Sequence, residues 1–180
     1  MKYWMDTEFI ERMHSLDLIS IGLVAEDGRE FYAESSEVDW TKASRWVLEH
    51  VRPQLAGTGM PREEIGYAVR RFVDDDKHPV FWGYFPAYDW VLFSGLFGGM
   101  NDLPFAFPHL CLDIKQWAIE LGDPELPRQT DTRHHALADA RWTRDAWTFL
   151  AGLHPGAAER RSFGYKHPIR DAAEEPAPLL

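Results

Sequence analysis

Residues 2–33 read KYWMDTEFIERMHSLDLISIGLVAEDGREFYA, and this stretch decides the fold class. Aromatic and apolar side chains crowd Lys2 to Phe9, and Leu16 to Ala25 is a nearly unbroken apolar run, so both segments are expected as strands. Asp27-Gly28 is a strong hairpin signal, and it returns the chain through Glu30 to Ser35 as a third strand. Three strands joined by short turns make a β-meander, and the remainder alternates. Thr41 to Val51 is expected as a helix capped by Thr41 and stopped by Pro53. Pro61-Arg-Glu-Glu opens a second helix, with acids in the first turn where the helix dipole favours them. Ile65, Val69 and Phe72 share one face of it. Then come a short strand from Pro79 to Tyr84, a helix from Trp90 to Phe97 ending at Gly98-Gly99, and a helix from Leu112 to Leu121. The last helix is expected from about Ala136 to Leu150, with Ala136, Ala140, Thr143, Trp147 and Leu150 turned towards the sheet. An α/β domain is the result.

Within this frame, Asp6 and Glu8 alternate along the first strand and so share a face. Their neighbours Tyr3, Trp4, Met5, Phe9 and Ile10 make that strand mostly buried. Two carboxylates side by side there repel each other and resist desolvation unless cations compensate. Asp89, in WGYFPAYDWVLF, follows the short apolar strand at or near the start of a helix. His134 and Asp139 belong to HHALADAR, where an imidazole in a loop precedes a helical acid. Three carboxylate segments in this order, the last reading H-x-A-L-x-D-A, fit a metal-dependent phosphodiesterase site. Such hydrolysis uses two divalent cations, magnesium and manganese take oxygen ligands, and a histidine titrating near neutrality suits a general base.

Each residue taken singly also has an ordinary account. Asp6 and Glu8 equally describe two solvated acids on an edge strand, Asp89 a helix N-cap, and Asp139 a solvated acid one position off the sheet-facing stripe. The weight lies in all five together. His135 reads as a surface or capping residue, and His14, His50, His78, His109, His154 and His167 lack companions at metal-ligand spacing. Asp74-Asp75-Asp76 reads as a solvated helix end. Among the crowded aromatics Trp82, Tyr84, Phe85, Tyr88 and Trp90, most belong in a core and one or two are candidates to stack on a base. Tyr84 and Tyr88, with Thr7 and Phe9 beside the first acids, are the substrate-contact candidates.

The 180 residues are 45% hydrophobic, with eight Trp and eleven Phe, which is enough for a sizeable single-domain core. No apolar run is long enough to cross a bilayer, and no signal-peptide layout opens the chain. Cys111 stands alone, so no internal disulfide forms and a reducing cytoplasm is expected. The net charge of −10 argues against a broad electrostatic grip on nucleic acid and against long processive substrates. It leaves room for a small site whose metals attract phosphate locally. The exonuclease-like domain is taken as residues 1–156, and the polar stretch 157–180, with Arg160, Arg161, Lys166 and Arg170, as a flexible tail.

The three carboxylate segments resemble the motifs of the DEDDh 3′-to-5′ exonucleases, which include ribonuclease T, oligoribonuclease and polymerase proofreading subunits. More narrowly, KYWMDTEFIE followed by LDLISIGLVAEDGREFYA is similar to the actinobacterial polyadenylate-specific 3′-exoribonucleases of the AS type. The resemblance spans roughly residues 2–150. It implies a ribonuclease H-like mixed sheet, antiparallel over its first three strands and then parallel, flanked by helices. It implies two Mg2+ or Mn2+ ions and release of nucleoside 5′-monophosphates from a single-stranded RNA 3′ end, including the 3′ overhang of a duplex. By motif, Asp6 bridges the two metals, and Glu8 and Asp139 hold the one that activates water. Glu8 also meets the terminal sugar, Asp89 acts mainly through water on the second metal, and His134 is the general base. Homo-oligomers are common among such relatives. Two other readings stay open at this level: a proofreading-type 3′-5′ deoxyribonuclease, and a catalytically weak protein that binds nucleotides or RNA 3′ ends.

Overall fold

The structure, a computed structural model, describes residues 1–73, 76–130 and 132–153. Its frame is one sheet in the order β3-β2-β1-β4-β5, made of β1 (Lys2–Arg12), β2 (Ser15–Ala25), β3 (Glu30–Glu34), β4 (Val80–Gly83) and β5 (Leu112–Asp113). The first three strands pair antiparallel, and β4 and β5 are added parallel to β1. The connections explain the mixture. The Asp27-Gly28 turn, with Gly28 at φ 89°, folds β3 straight back on β2. Parallel neighbours instead need crossovers, supplied by α2 (Arg62–Val73) before β4 and α3 (Ala87–Gly95) after it. Three further helices, α1 (Arg45–His50), α4 (Ile114–Glu120) and α5 (Ala136–Leu153), complete the described chain.

Alternation along β1 separates two cores. Tyr3 and Met5 pack with Ile65 and Val69 of α2 and with Trp90 and Phe93 of α3. Trp4 faces the other way, towards Trp117 of α4 and Ala140, Ala146 and Leu150 of α5. Asp6 and Glu8 continue the Trp4 face, which is covered by α5. Past Glu8 the register slips: Glu8 lies opposite Ser20 but Phe9 opposite Leu18, leaving Ile19 as an extra residue on β2. Ile19 joins Ile10, Val47 and Val51 in a smaller core beneath α1.

Gly22 stands opposite Asp6 in the β1–β2 ladder. A Cβ there would sit 2.4 Å from Leu137 N and 2.5 Å from Ala136 C and O. The start of α5 therefore meets β2 backbone against backbone, and only glycine permits that approach.

Several boundaries differ from the sequence expectation. Trp40–Lys42 forms a separate 3-10 turn capped by Asp39, which accepts from the Thr41 N–H at 3.1 Å. The chain then extends through Ala43 and Ser44, and α1 starts after Ser44, whose hydroxyl accepts from Val47 N–H at 3.2 Å. A carboxylate two residues upstream thus outcompetes Thr41 as the cap. Leu112 and Asp113 pair with β4 instead of beginning a helix, because the exposed edge of β4 offers unpaired backbone groups. Asp113 then caps α4, accepting from Lys115 N–H at 2.7 Å. Helix α3 begins at Ala87, three residues before Trp90. Along α5 the expected stripe holds at Ala136, Ala140, Thr143 and Leu150, while Ala138 and Ala146 are buried and Trp147 is half-buried against Trp4. Asp74, Asp75, His154, His167 and the expected C-terminal tail lie outside the described residues. No helix among those described is long and apolar enough to cross a membrane.

Two glycine substitutions are expected to act with opposite sign. Gly22→Ala forces overpacking at the β2–α5 contact and should lower stability by about 1–3 kcal/mol. Gly152→Ala, on α5 with nothing within 4 Å, should be neutral or raise stability by up to about 1 kcal/mol. Urea denaturation of both variants beside the parent checks this.

Candidate active site

A cleft of about 570 Å³ opens where the C-terminal part of β1 meets the start of α5, with Asp6, His134 and Asp139 in its wall. Asp6 and Glu8 arrive on β1, the latter only 9% exposed. Asp89 comes from the first turn of α3, behind Pro86 at the N-cap. Its helix-capping role is thereby ruled out, and its Oδ1 instead accepts the backbone N–H of Thr7 at 2.8 Å and the Thr7 hydroxyl at 2.6 Å. Those two bonds tie α3 to β1 at the level of the acids. Asp139 comes from the first turn of α5 and accepts the backbone N–H of His134 at 2.9 Å and the side-chain amide of Gln129.

His134 takes a left-handed backbone at φ 64°, which is uncommon for a residue with a side chain. Its imidazole stands with the carboxylates of Glu8 and Asp139, one candidate ligand atom from each lying within 4.8 Å of the others. From α1, Trp46 closes on the His134 ring at 4.7 Å in a T-shaped contact. His135 is half-buried and stacks at 4.5 Å on Tyr32 of β3, so it packs and is not simply a surface residue. It also stands directly before α5, where its carbonyl accepts the Asp139 N–H at 3.0 Å from the cap position.

The electrostatics follow from crowding. Burial, then the charges of Asp89, Glu8 and Asp139, push the Asp6 carboxyl well above its usual range. Burial, then Asp139, push Glu8 up to about 8. Asp89 is raised by burial, against the opposing pull of the two Thr7 bonds. Acids in this condition are uncomfortable as a group of bare anions. Cations among them would remove the repulsion, and an all-oxygen donor set matches what Mg2+ and Mn2+ accept. The residues present therefore fit a divalent metal centre.

The four substrate-contact candidates separate in space. Tyr84 lines the cleft and packs edge-on against Trp142 at 4.9 Å. Thr7 is 4% exposed and spends its hydroxyl on Asp89. Phe9 packs on Tyr88 at 5.7 Å, and the Tyr88 hydroxyl donates to Glu11 at 3.0 Å. Tyr88 lines a neighbouring cavity of about 500 Å³ with Arg12 and Val91 and is not part of the carboxylate cleft. Sequence reasoning passed over Gln129, Arg128, Arg133 and Trp142, all in the cleft wall. The stretch around residues 124–130 has no periodicity to flag them. Gly22 did carry a signal, an isolated glycine inside an apolar strand.

A mixed sheet flanked by helices, with carboxylates gathered beside its central strand, is the architecture of the ribonuclease H-like exonucleases. The fold superposes on the Mg2+- and Mn2+-bound form of S. pombe Pop2p with a TM-score of 0.62, at 12% identity over 85% of this chain and 83% of that one. It superposes on E. coli exonuclease I in complex with a dT13 oligonucleotide with a TM-score of 0.61, at 14% identity, covering 88% of this chain and 42% of that longer one. The chain belongs to the family of 3′-5′ exoribonuclease Rv2179c-like domains, whose model matches residues 1–151. It is 40% identical over 147 residues to the 3′-5′ exoribonuclease Rv2179c of Mycobacterium tuberculosis (strain H37Rv), covering 78% of this chain and 88% of that protein. It is thus a hydrolase of the 3′-5′ exonuclease class.

The raised carboxyls give a pH signature. A carboxyl with a higher pKa folded than unfolded favours the folded chain in its protonated form, so that contribution is lost as the pH rises. The metal-free protein is expected to lose stability between about pH 4.5 and about pH 8, the unfolded and folded values for Glu8. Glu8→Gln should flatten the slope, and added Mn2+ should restore the stability lost at the upper end. Urea midpoints measured in one-unit pH steps read all three effects.

Proposed function

We propose that the chain removes nucleotides one at a time from the 3′ end of single-stranded RNA, 3′ overhangs included, and releases nucleoside 5′-monophosphates. Asp6, Glu8, Asp89 and Asp139 hold two Mg2+ or Mn2+ ions, and His134 is the general base. One observation carries this reading: carboxylates from three distant segments converge with a single imidazole, and three of them are pushed towards protonation by burial and one another. Family membership and the exoribonuclease relative support RNA as the polymer. The catalytic domain is taken as residues 1–156. A reducing compartment, the cytoplasm, suits its unpaired Cys111.

The bound cations would supply counter-charge for the phosphoryl oxygens and a lowered pKa for the attacking water. The protein's own groups account for the rest. His134 takes the water proton, its ring steered by the backbone bond to Asp139 on one side and by Trp46 on another. The all-carboxylate set leaves the imidazole free for that task. Gln129 and the His134 N–H hold the Asp139 carboxylate in one orientation. Tyr84 and Trp142 offer the apolar wall against which a terminal base stacks, a contact that reads base identity weakly. Glu8 and the adjoining backbone of β1 face the terminal sugar, where the 2′-hydroxyl distinguishes RNA from DNA.

Asp139→Asn is expected to lose metal affinity and activity together. His134→Ala should keep metal affinity, measured by calorimetric Mn2+ titration, while turnover falls roughly 10²–10⁴-fold. Loss of Mn2+ binding in His134→Ala would make the imidazole a ligand and remove it as the base.

On matched 12-nucleotide substrates, RNA should be degraded faster than DNA by roughly 5- to 150-fold, the worth of about 1–3 kcal/mol for a polar group left unpaired by the missing hydroxyl. The 5′-labelled RNA should shorten in single-nucleotide steps, and a 3′-blocked RNA should persist. Equal rates on the two sugars would favour the deoxyribonuclease reading.

A further inference from the structure

Five arginines of this acidic chain close on a nearby carboxylate: Arg29 on Asp27, Arg45 on Glu49, Arg62 on Asp17, Arg141 on Glu30 and Arg144 on Asp145. Arg128 and Arg133 do neither that nor anything comparable among the described residues. Both line the same cleft as Asp6, His134 and Asp139. Of the two carboxylates there, Asp139 already accepts from Gln129 and from the His134 backbone, and no ion pair links either of them to Arg128 or Arg133 among the described residues. Two guanidinium groups therefore border the acids without being neutralised by them.

The backbone that presents Arg128 is anchored on both sides. The Trp142 indole N–H donates to the Pro127 carbonyl at 2.8 Å, and the Gln129 amide donates to Asp139. Pro127 and Gln129 are thereby fastened to α5, and Arg128 stands between the two anchors. Arg133 directly precedes His134, whose left-handed backbone and bond to Asp139 fix its own position. Arginine is the residue whose planar fork matches two phosphate oxygens. With a net charge of −10, the chain as a whole does not attract a polyanion. A local pair of unpaired guanidiniums beside the cleavage site is what can.

We propose that Arg128 and Arg133 form a phosphate clamp that grips the RNA backbone just upstream of the scissile bond. The strand then leaves the acids along the Pro127–Gln129 wall beside Tyr84 and Trp142, and not across the Phe9–Tyr88 face. This rests on the cleft being the phosphodiester site, and it assigns substrate affinity to a different pair of residues from those that assign turnover. Gln129 serves both parts, positioning Asp139 and anchoring Arg128.

The test compares Arg128→Ala, Arg133→Ala and the double variant with Arg144→Ala as a remote arginine control. One arm measures binding of a 5′-fluorescein 12-nucleotide RNA by anisotropy in Ca2+, across a KCl series. Each single variant should weaken binding roughly 10-fold or more, the worth of a hydrogen bond to a charged partner. The double variant should flatten the slope of log affinity against log salt by about 1.4, from roughly 0.7 per phosphate contact on a single strand. The second arm measures hydrolysis of thymidine 5′-monophosphate p-nitrophenyl ester with Mn2+, which has a scissile phosphate but no upstream nucleotide. Its kcat/KM should stay within about twofold of the parent in all the arginine variants, while KM on the RNA rises. An unchanged salt slope, or equal losses on the ester and the RNA, would overturn the clamp. Failure of the underlying site reading has its own mark, namely Asp6→Asn hydrolysing both substrates as well as the parent does.

Discussion

Helix α5 meets the sheet at Gly22 with no side chain between the two backbones, and the position of the last carboxylate depends on that contact. Gly22 pairs with Asp6, so the closest approach of α5 falls opposite the first acid of the site. One turn into the same helix stands Asp139, and just before it His134. A methyl group at position 22 would lift the N-terminus of α5 and, with it, both groups. The rest of the Trp4-side core, from Trp117 to Leu150, holds the helix down along its length. The site is thus set by backbone contact at one end and by aromatic packing at the other.

The constraint that α5 satisfies creates the electrostatic problem the site uses. Bringing Asp139 down to β1 places it beside Glu8, and the two thread-like bonds from Thr7 bring in Asp89 from α3. Burial dominates the response: Asp89 accepts two hydrogen bonds from Thr7 and sits in a helical first turn, yet its carboxyl is still raised. A helix N-terminus stabilises an anion by about 0.3–1 kcal/mol, too little to offset desolvation beside other acids. Compensation has to come from charge, which divalent cations would supply in the proposed site. In the proposed site, Arg128 and Arg133 line the cleft without pairing with the acids, where they would compete with bound cations.

What the sequence made legible was local. The meander could be read from apolar runs and the Asp27-Gly28 turn, and strand alternation alone placed Asp6 and Glu8 on one face. Asp89 and Asp139 were reachable only through motif order, since no periodicity links either of them to β1; the Thr7–Asp89 contact alone spans 82 residues. Helix phase explains the misplaced tyrosine. With α3 starting at Ala87 and not at Trp90, Tyr88 and Asp89 are about 100° apart on one helix, so only one of them faces the acids. Thr41 and Ser44 were both competent caps, and the choice turned on Asp39 capturing Thr41 first. Gln129 and the two arginines lie where the chain has no repeating pattern, so their roles emerge only once Trp142 and Asp139 are seen to hold that stretch.

Two left-handed residues bracket the site, and their placement ties local strain to the chemistry. Phe85 at φ 54° precedes α3, and His134 at φ 64° precedes α5. Such conformations cost of order 1–3 kcal/mol for residues with side chains, and each is held by a specific partner: Phe85 N–H by Asp113 at 3.2 Å, His134 N–H by Asp139 at 2.9 Å. Each introduces a helix whose first turn delivers an acid to β1. A relaxed, extended residue at either position would carry the chain on without the sharp reversal that points the helix start at the strand. At His134 the same reversal also sets the imidazole beside the carboxylate that its backbone binds. In the proposed mechanism, the residue that positions the metal-facing acid and the residue that takes the proton would then be one residue, acting through its main chain and its ring, so neither function could shift without the other.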